Sequence, residues 1–218
     1  MTKLSIALVN MKPGTGKTTS AVWLAHAFAE LGSVLLVDAD PAHSTLEWAE
    51  MVGDRGFPFR VVALPVKDLH RRIDTFAHDD DVVIIDSPQI EDHGPIARSA
   101  LLYVDEAVIT CAPTTIEVHR TAPITEELEN TNALRRIPIR ASVLLNRTVT
   151  HAHSTADAQG ALTQLGYDVL PYPVPRLEVY AQSFGGPVTA AAGAAVWRDI
   201  ADELRSRAGL TAGERTRA

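Results

Sequence analysis

The sequence reads Val9-Asn10-Met11-Lys12-Pro13-Gly14-Thr15-Gly16-Lys17-Thr18-Thr19 near its N-terminus. A strand-like run, residues 4–10, leads into it, and a helix-like stretch, residues 18–31, follows it. Glycines between a strand and a helix let the backbone curl so that several N–H groups point inward at an anion. The helix N-terminus adds a partial positive charge and Lys17 adds a full one. We therefore predict a phosphate-binding loop in which Thr18 ligates Mg²⁺.

Strand-like and helix-like segments alternate along the chain. Short apolar runs predict seven strands, at residues 4–10, 34–38, 60–63, 82–86, 107–111, 142–146 and 167–170. Helical periodicity predicts helices at residues 18–31, 67–76, 155–165 and 189–208. Because the strand runs are apolar on consecutive residues, we expect them to be covered on both faces. The predicted fold is α/β: a mostly parallel central sheet flanked by helices on both faces, of the P-loop NTPase type, with ligands at the strands' carboxyl ends.

The size and composition suit one globular domain. The chain has 218 residues, 46% of them hydrophobic, and we predict a single domain over residues 1–208 with a flexible tail over 209–218. The single cysteine, Cys111, excludes a disulfide framework within one chain and lies in an apolar run that predicts burial. No apolar run approaches the ~20 residues of a membrane-spanning helix, and the start lacks a signal-peptide pattern, so we expect a cytoplasmic protein.

The charge of the chain bears on nucleic-acid binding. A net charge of −7 argues against coating DNA with the whole surface, since phosphate binding draws on positive charge. A local basic patch is compatible with it. Residues 134–150 contain no acidic residue and four arginines, namely Arg135, Arg136, Arg140 and Arg147. Residues 196–218 carry five arginines against four acidic residues, which favours a solvated helix face and tail.

Aspartates end two of the predicted strands. Asp38 and Asp40 follow the run 34–37, and Asp86 ends the run 82–86. Aspartates before a helix often serve only as caps, but the phosphate loop upstream favours a functional role. An apolar strand ending in aspartate has the pattern of a Walker B segment, so we expect Asp86 to hold the Mg²⁺ shell. The triplet 79–81 lies at the opposite end of that strand, and we predict a solvated turn there.

The loop departs from the ordinary Gly-x4-Gly-Lys-Ser/Thr motif. Met11 stands where that motif has glycine, and a second lysine, Lys12, lies five residues before Lys17. Residues 12–19 resemble the deviant Walker A motif, Lys-Gly-Gly-x-Gly-Lys-Thr-Thr, of the ParA/MinD superfamily of ATPases. The resemblance implies ATP and Mg²⁺ as cofactors, and a homodimer in which Lys12 contacts the ATP of the partner subunit. Pro13 replaces the usual glycine and removes one N–H donor. The implied phosphate-binding residues are Lys12, Pro13, Gly14, Thr15, Gly16, Lys17, Thr18 and Thr19.

Two more segments are similar to the same superfamily. Residues 37–48 resemble its switch I, Asp-x-Asp-Pro-Gln, with Ala42 in place of glutamine, and this implies that Asp40 positions the attacking water. Residues 172–188 resemble its Ile-Pro-Arg…Ala…Gly-x-Pro-Val segment, which lines the adenine pocket; Asn146 and Pro175 are then the base-contacting residues. By this resemblance the catalytic residues are Lys12, Lys17 and Asp40, and the metal-binding residues are Thr18, Asp38 and Asp86.

The resemblance also implies a function. One cysteine rules out the iron–sulfur branch of the superfamily, and residues 209–218 lack the apolar face of a membrane-targeting helix. The small ParA-type plasmid partition ATPases, which have no N-terminal helix-turn-helix, fit best. Their implied cycle is dimerisation on ATP, non-specific DNA binding at the nucleoid, and release when a centromere-bound ParB-type adaptor stimulates hydrolysis. Positioning of a protein cargo and, less favoured, a biosynthetic synthase are the open alternatives.

Overall fold

The computed structural model describes residues 4–53, 56–78, 81–188 and 193–210. The strands in these ranges are β1 (Leu4–Val9), β2 (Val34–Asp38), β3 (Arg60–Ala63), β4 (Val82–Asp86), β5 (Glu106–Cys111), β6 (Arg140–Leu145) and β7 (Asp168–Val169). The helices are α1 (Lys17–Ala29), α2 (Ser44–Val52), α3 (Leu69–Arg72), α4 (Ile90–Tyr103), α5 (Thr115–His119), α6 (Ala122–Asn132), α7 (His153–Gln164), α8 (Glu178–Ala181) and α9 (Ala194–Arg207). A 3₁₀ turn, Ile73–Thr75, follows α3.

The strands form one seven-stranded sheet in the order β3-β2-β4-β1-β5-β6-β7, and every pairing is parallel. This confirms the predicted fold, and each predicted strand is present within two residues of its expected bounds. Because β1, β4 and β2 are neighbours, the phosphate loop and both aspartate-bearing strand ends come to one edge of the sheet. The register sets Asp86 opposite Asp38 on one side and Leu8 on the other.

Helices cover both faces of the sheet. On one face α1, α2 and α9 pack around the buried indole rings of Trp23, Trp48 and Trp197. On the other face α3, α4, α6 and α7 bury a second set of apolar side chains. Consecutive strand residues point to opposite faces, so a strand covered on both faces must be apolar throughout. In β1, for example, Ile6 packs into one layer and Ala7 into the other.

The helix predictions are confirmed in part. The predicted helices at residues 18–31 and 155–165 correspond to α1 and α7, while residues 67–76 form only the short α3 and the 3₁₀ turn. The last predicted helix corresponds to α9, although residues 189–192 lie outside the described ranges. Sequence analysis missed α2, α4, α5, α6 and α8. Within α4, His93 has non-helical angles (φ −128°, ψ 34°) just before Gly94-Pro95, a pair that normally ends a helix.

The burial of Asp81 and of Cys111 bears on two predictions from the sequence. Asp81 is buried, pairs with Arg60 and accepts the His78 N–H at 2.7 Å, so the prediction of a solvated turn is wrong for Asp81. The other two residues of that triplet are outside the described ranges. Cys111 is buried as predicted, and burial raises the pKa of its thiol to about 12.

The ends of the predicted domain are only partly described. Gly209 and Leu210 follow α9, and residues 211–218, most of the predicted tail, lie outside the described ranges. The division into a domain and a tail therefore stays a prediction. None of the described helices combines the length and apolar character that crossing a bilayer requires.

Candidate functional site

Two glycines shape the loop between β1 and α1. Gly14 and Gly16 have φ values of +72° and +88°, which only glycine adopts without steric cost. A Cβ atom on Gly16 would also lie 2.6 Å from the Asn146 amide nitrogen. Gly16 immediately precedes α1 and offers no side chain to cap it. The first N–H groups of a helix have no acceptor within the helix, so this N-terminus is suited to bind an anion.

Lys17 brings a buried positive charge to the loop. It is the first residue of α1 and is only 6% exposed. Its ammonium group reaches back across the loop and donates to the Lys12 carbonyl at 3.3 Å. Burial lowers its pKa, while the carboxylates of Asp86 and Asp40 act in the opposite direction. A desolvated cation beside backbone N–H groups is an arrangement suited to phosphate oxygens.

Asp86 has one oxygen bonded and one oxygen free. Its Oδ2 atom accepts hydrogen bonds from the hydroxyls of Thr18, at 2.7 Å, and Thr45, at 2.8 Å. Its Oδ1 atom is buried and has no hydrogen-bond partner in the part of the chain that the structure describes. Burial raises the pKa of this carboxyl to about 7, and the nearby charge of Asp38 acts in the same direction. An unpaired buried carboxylate is costly, and a cation beside it would offset that cost.

Mg²⁺ fits these donors. It binds proteins through one or two carboxylates, with phosphate and water oxygens filling its remaining positions. The free oxygen of Asp86 and the hydroxyl of Thr18 are oxygen donors at the start of α1, next to the predicted phosphate site. The residues present therefore match the requirement of the ion. Their assignment as its ligands stays a prediction.

Asp38 is arranged differently from Asp86. It is fully buried, and its two oxygens accept the backbone N–H groups of Asp40, at 3.1 Å, and Leu46, at 2.9 Å. Leu46 lies in the first turn of α2, so Asp38 ties the start of that helix to the end of β2. Asp40 accepts the Ala42 N–H at 2.9 Å through its Oδ1 atom. The predicted roles of Asp38 at the metal and of Asp40 at the attacking water are not tested by these contacts.

Lys12 lies at the mouth of the loop and forms an ion pair with Glu91 in the first turn of α4. The backbone N–H of Lys12 donates to the Asn10 side chain at 3.0 Å. Pro13, the next residue, is exposed.

A cavity of about 630 Å³ opens beside the loop, a volume typical of small-molecule sites. Gly16 and Thr19 form one wall, and Asn146 and Pro175 both line it, so the structure brings these two predicted base-contacting residues together. The Asn146 amide donates to the Thr15 carbonyl and the Ser20 hydroxyl, both at 3.4 Å. In this structure the Asn146 side chain is thus turned toward the loop, and its predicted base contact stays untested.

Several residues of this site were not predicted from the sequence. Thr45 follows the Asp-Ala-Asp-Pro segment. A hydroxyl side chain just after these aspartates could have indicated that Thr45 belongs to the site. The contact of Glu91 with Lys12 could not be predicted, because the two residues are remote in the sequence. His43, directly before α2, adopts a left-handed conformation (φ +56°), and its Nδ1 atom is buried with no hydrogen-bond partner among the described residues. The cavity is also lined by Arg147, Arg176 and Tyr180.

Residues 6–188 match the CobQ/CobB/MinD/ParA nucleotide binding domain family. The chain belongs to this family. The matched range contains the loop, both aspartate-bearing strand ends and most of the cavity wall. Membership of the ParA/MinD superfamily is thereby confirmed, whereas the deviant Walker A character of residues 12–19 stays a prediction.

The chain is similar to several individual proteins. It is 28% identical over 207 residues to Maintenance of carboxysome distribution protein A of Halothiobacillus neapolitanus, covering 92% of each chain. It is 40% identical over 72 residues to the chromosome-partitioning ATPase Soj of Thermus thermophilus, covering 33% of this chain and 29% of that protein. Its fold is similar to that of MinD from Pyrococcus horikoshii, solved with Mg-ADP, with a TM-score of 0.76 at 22% identity and coverage of 97% and 99%.

Proposed function

We propose that this protein is a ParA-type ATPase that hydrolyses ATP with Mg²⁺ and positions a protein assembly as its cargo. The observation that carries the proposal is the nearly full-length similarity to a carboxysome distribution protein, combined with a nucleotide site whose Lys17, Thr18 and Asp86 lie together. Partition of DNA, our first expectation from the sequence, becomes the second candidate. It is supported by the match to Soj, which covers only a third of the chain.

Different residues of the chain bind different parts of the nucleotide in this proposal. The N–H groups of residues 14–19 and the Lys17 ammonium bind the phosphates, and Pro175 and Asn146 border the base. Mg²⁺, when bound, neutralises charge on the phosphate oxygens. Thr18 and Asp86 hold that ion. Asp40 orients the attacking water, and Asp38 supports this step by holding the Asp40 backbone.

ATP acts as a dimerisation signal in this proposal. Lys12 is 38% exposed at the mouth of the loop, so its ammonium group is accessible to a nucleotide held by a second subunit. Without that second lysine each site lacks one of its phosphate-binding charges. ATP and dimer formation are therefore coupled through Lys12, and hydrolysis ends the dimer.

In this proposal the dimer binds DNA non-specifically, and the DNA is the surface along which the dimer is distributed. Two arginines of the segment 134–150 are bonded within the protein: Arg135 donates to the Leu101 carbonyl at 2.9 Å and Arg140 pairs with Glu106 at 3.1 Å. Arg136 and Arg147 are exposed. Because two of the four arginines are engaged within the protein and the net charge is −7, DNA retention should be weak and strongly reduced by salt.

The decisive experiment compares wild-type protein, Asp40→Ala and Lys12→Ala by sedimentation with ATP or ADP, with and without random DNA. We expect an ATP-stabilised dimer of Asp40→Ala that binds DNA at low salt, and no dimer of Lys12→Ala. DNA retention that is independent of nucleotide, or an ATP dimer that survives loss of Lys12, would contradict the proposal.

A second experiment separates protein cargo from DNA partition. The ATPase rate is measured with the adaptor protein alone and with added DNA carrying the adaptor's binding site. A cargo adaptor should stimulate hydrolysis with any DNA, whereas a centromere-binding adaptor should require its own site. Phosphorylation of a small carboxylate, instead of simple ATP hydrolysis, would favour a biosynthetic synthase.

A further inference from the structure

The start of α4 is bonded to the mouth of the phosphate loop. The backbone N–H groups of Ile90 and Glu91 donate to the carbonyls of Asn10, at 3.1 Å, and Met11, at 3.3 Å. The Glu91 carboxylate then pairs with the ammonium group of Lys12. Three contacts therefore join one helical turn to the residues directly before the loop.

This first turn is only loosely continuous with the rest of α4. His93 has non-helical angles, and Pro95 has no N–H to donate to the Glu91 carbonyl. A Cβ atom built on Gly94 would meet no other atom within 4 Å, so the kink is not tightly packed. Beyond it, the buried residues Ile96 and Leu101 hold the main part of the helix in the core. The turn that carries Glu91 is thus attached to the loop on one side and to a kink on the other.

We propose that Glu91 is a positioning residue for Lys12. In the single subunit it holds the Lys12 ammonium group against α4, and it releases that group when Lys12 engages a phosphate. This inference rests on the proposed function, because it requires Lys12 to bind a nucleotide across a dimer.

Charge explains why the ion pair of Lys12 and Glu91 must break when Lys12 binds a nucleotide. The two side chains are 38% and 46% exposed, so the pair is partly solvated and contributes only a modest free energy. Nucleotide phosphates brought to Lys12 carry several negative charges and repel the Glu91 carboxylate. The pair and the phosphates therefore compete for one ammonium group, and breaking the pair weakens dimerisation. The neighbouring Asp92 accepts a hydrogen bond from Gln89 at 3.1 Å, which makes it a matched control.

The test measures the dimer dissociation constant by sedimentation with ATP and Mg²⁺, in the Asp40→Ala background. Glu91→Gln keeps the size of the side chain and removes its charge. Because dimerisation breaks one such pair in each subunit, we expect roughly two- to thirtyfold tighter dimerisation at low salt, the range of two exposed ion pairs. The gain should shrink at ~0.5 M salt, because exposed charges are then screened. Asp92→Asn should leave the dissociation constant unchanged.

Two results would overturn the inference: a dimer of Glu91→Gln that is no tighter than its parent, or a gain that salt does not alter. Comparable thermal unfolding of both variants excludes a general loss of structure. If Asp40→Ala forms a dimer that needs Lys12 but Glu91→Gln has no effect, only this inference fails. If Asp40→Ala forms no ATP dimer at all, the proposed function fails and the inference falls with it.

Discussion

Asp38 and Asp86 lie opposite each other in register at the carboxyl ends of β2 and β4, yet their carboxylates have opposite surroundings. Both oxygens of Asp38 accept backbone N–H groups, whereas Asp86 keeps one buried oxygen without a partner. The first arrangement holds the chain in place, and the second leaves an oxygen available to a ligand. We therefore expect Asp38 to act mainly by holding the backbone and Asp86 by binding a ligand.

Replacing Asp86 with asparagine should stabilise the empty protein while it disables the site. Burial raises the pKa of Asp86 in the folded protein to about 7, so the folded protein holds a proton that the unfolded chain releases above about pH 3.8. The resulting contribution to the free energy of unfolding is complete below about pH 3.8 and is lost as the pH rises through 7. Asp86→Asn should therefore raise the melting temperature by a few degrees at pH 8, and by less at pH 5. ATP hydrolysis should fall by roughly 10²-fold or more. Calorimetry at both pH values and a phosphate-release assay check this; equal effects at the two pH values would contradict it.

Asp38→Asn should lower stability and preserve metal-dependent binding. An asparagine amide has only one accepting oxygen, so one of the N–H groups of Asp40 and Leu46 loses its partner, at a cost of about 1–3 kcal/mol. We expect a lower urea midpoint and slower hydrolysis, with Mg²⁺ still increasing the affinity for ATP. The opposite pattern, unchanged stability with loss of the Mg²⁺ effect, would make Asp38 a direct ligand.

Gly16→Ala should impair nucleotide binding more than a glycine-to-alanine change at a position where the new Cβ atom faces open space. The alanine would have to adopt an unfavourable φ of +88°, and its Cβ atom would lie 2.6 Å from the Asn146 amide nitrogen. Together these effects should destabilise the loop by roughly 1–3 kcal/mol. Gly32→Ala, which meets no atom within 4 Å, is the control and should bind ATP normally. Fluorescent nucleotide titration measures both.

Acid should destabilise the protein through His26. Its ring packs edge-on against Phe57 and Phe59, its Nε2 atom is buried without a partner, and burial lowers its pKa to about 4 against the opposing effect of Glu30. The unfolded chain then binds a proton that the folded protein excludes between pH 6.5 and 4. The contribution of His26 is present above pH 6.5 and is lost as the pH falls, by at most about 1.4 kcal/mol per unit.

His26→Phe removes that titration. Denaturant unfolding at pH 7 and pH 5 should show a smaller loss of stability in His26→Phe than in the wild-type protein. A parallel loss in both proteins would mean that the acid sensitivity arises elsewhere.

Much of the site could be predicted because its parts are local in the sequence. The turn at Gly14 and Gly16 and the position of Lys17 and Thr18 at a helix start depend on neighbouring residues only. The same holds for the strands, whose continuous apolar runs follow from burial on both faces. Helix α4 was missed for a related reason: Gly94-Pro95 is a local stop pattern that packing of the flanking residues overrides.

The phosphate loop, the strands and the family resemblance could thus be recognised in the sequence itself, because each depends on residues that are only a few positions apart. Tertiary structure alone decided which oxygen of Asp86 is free, that Asn146 lies against Gly16, and that Glu91 holds Lys12. These relationships join residues remote along the chain. They depend on the order and register of the strands, which bring separate strand ends and the start of α4 to one edge of the sheet.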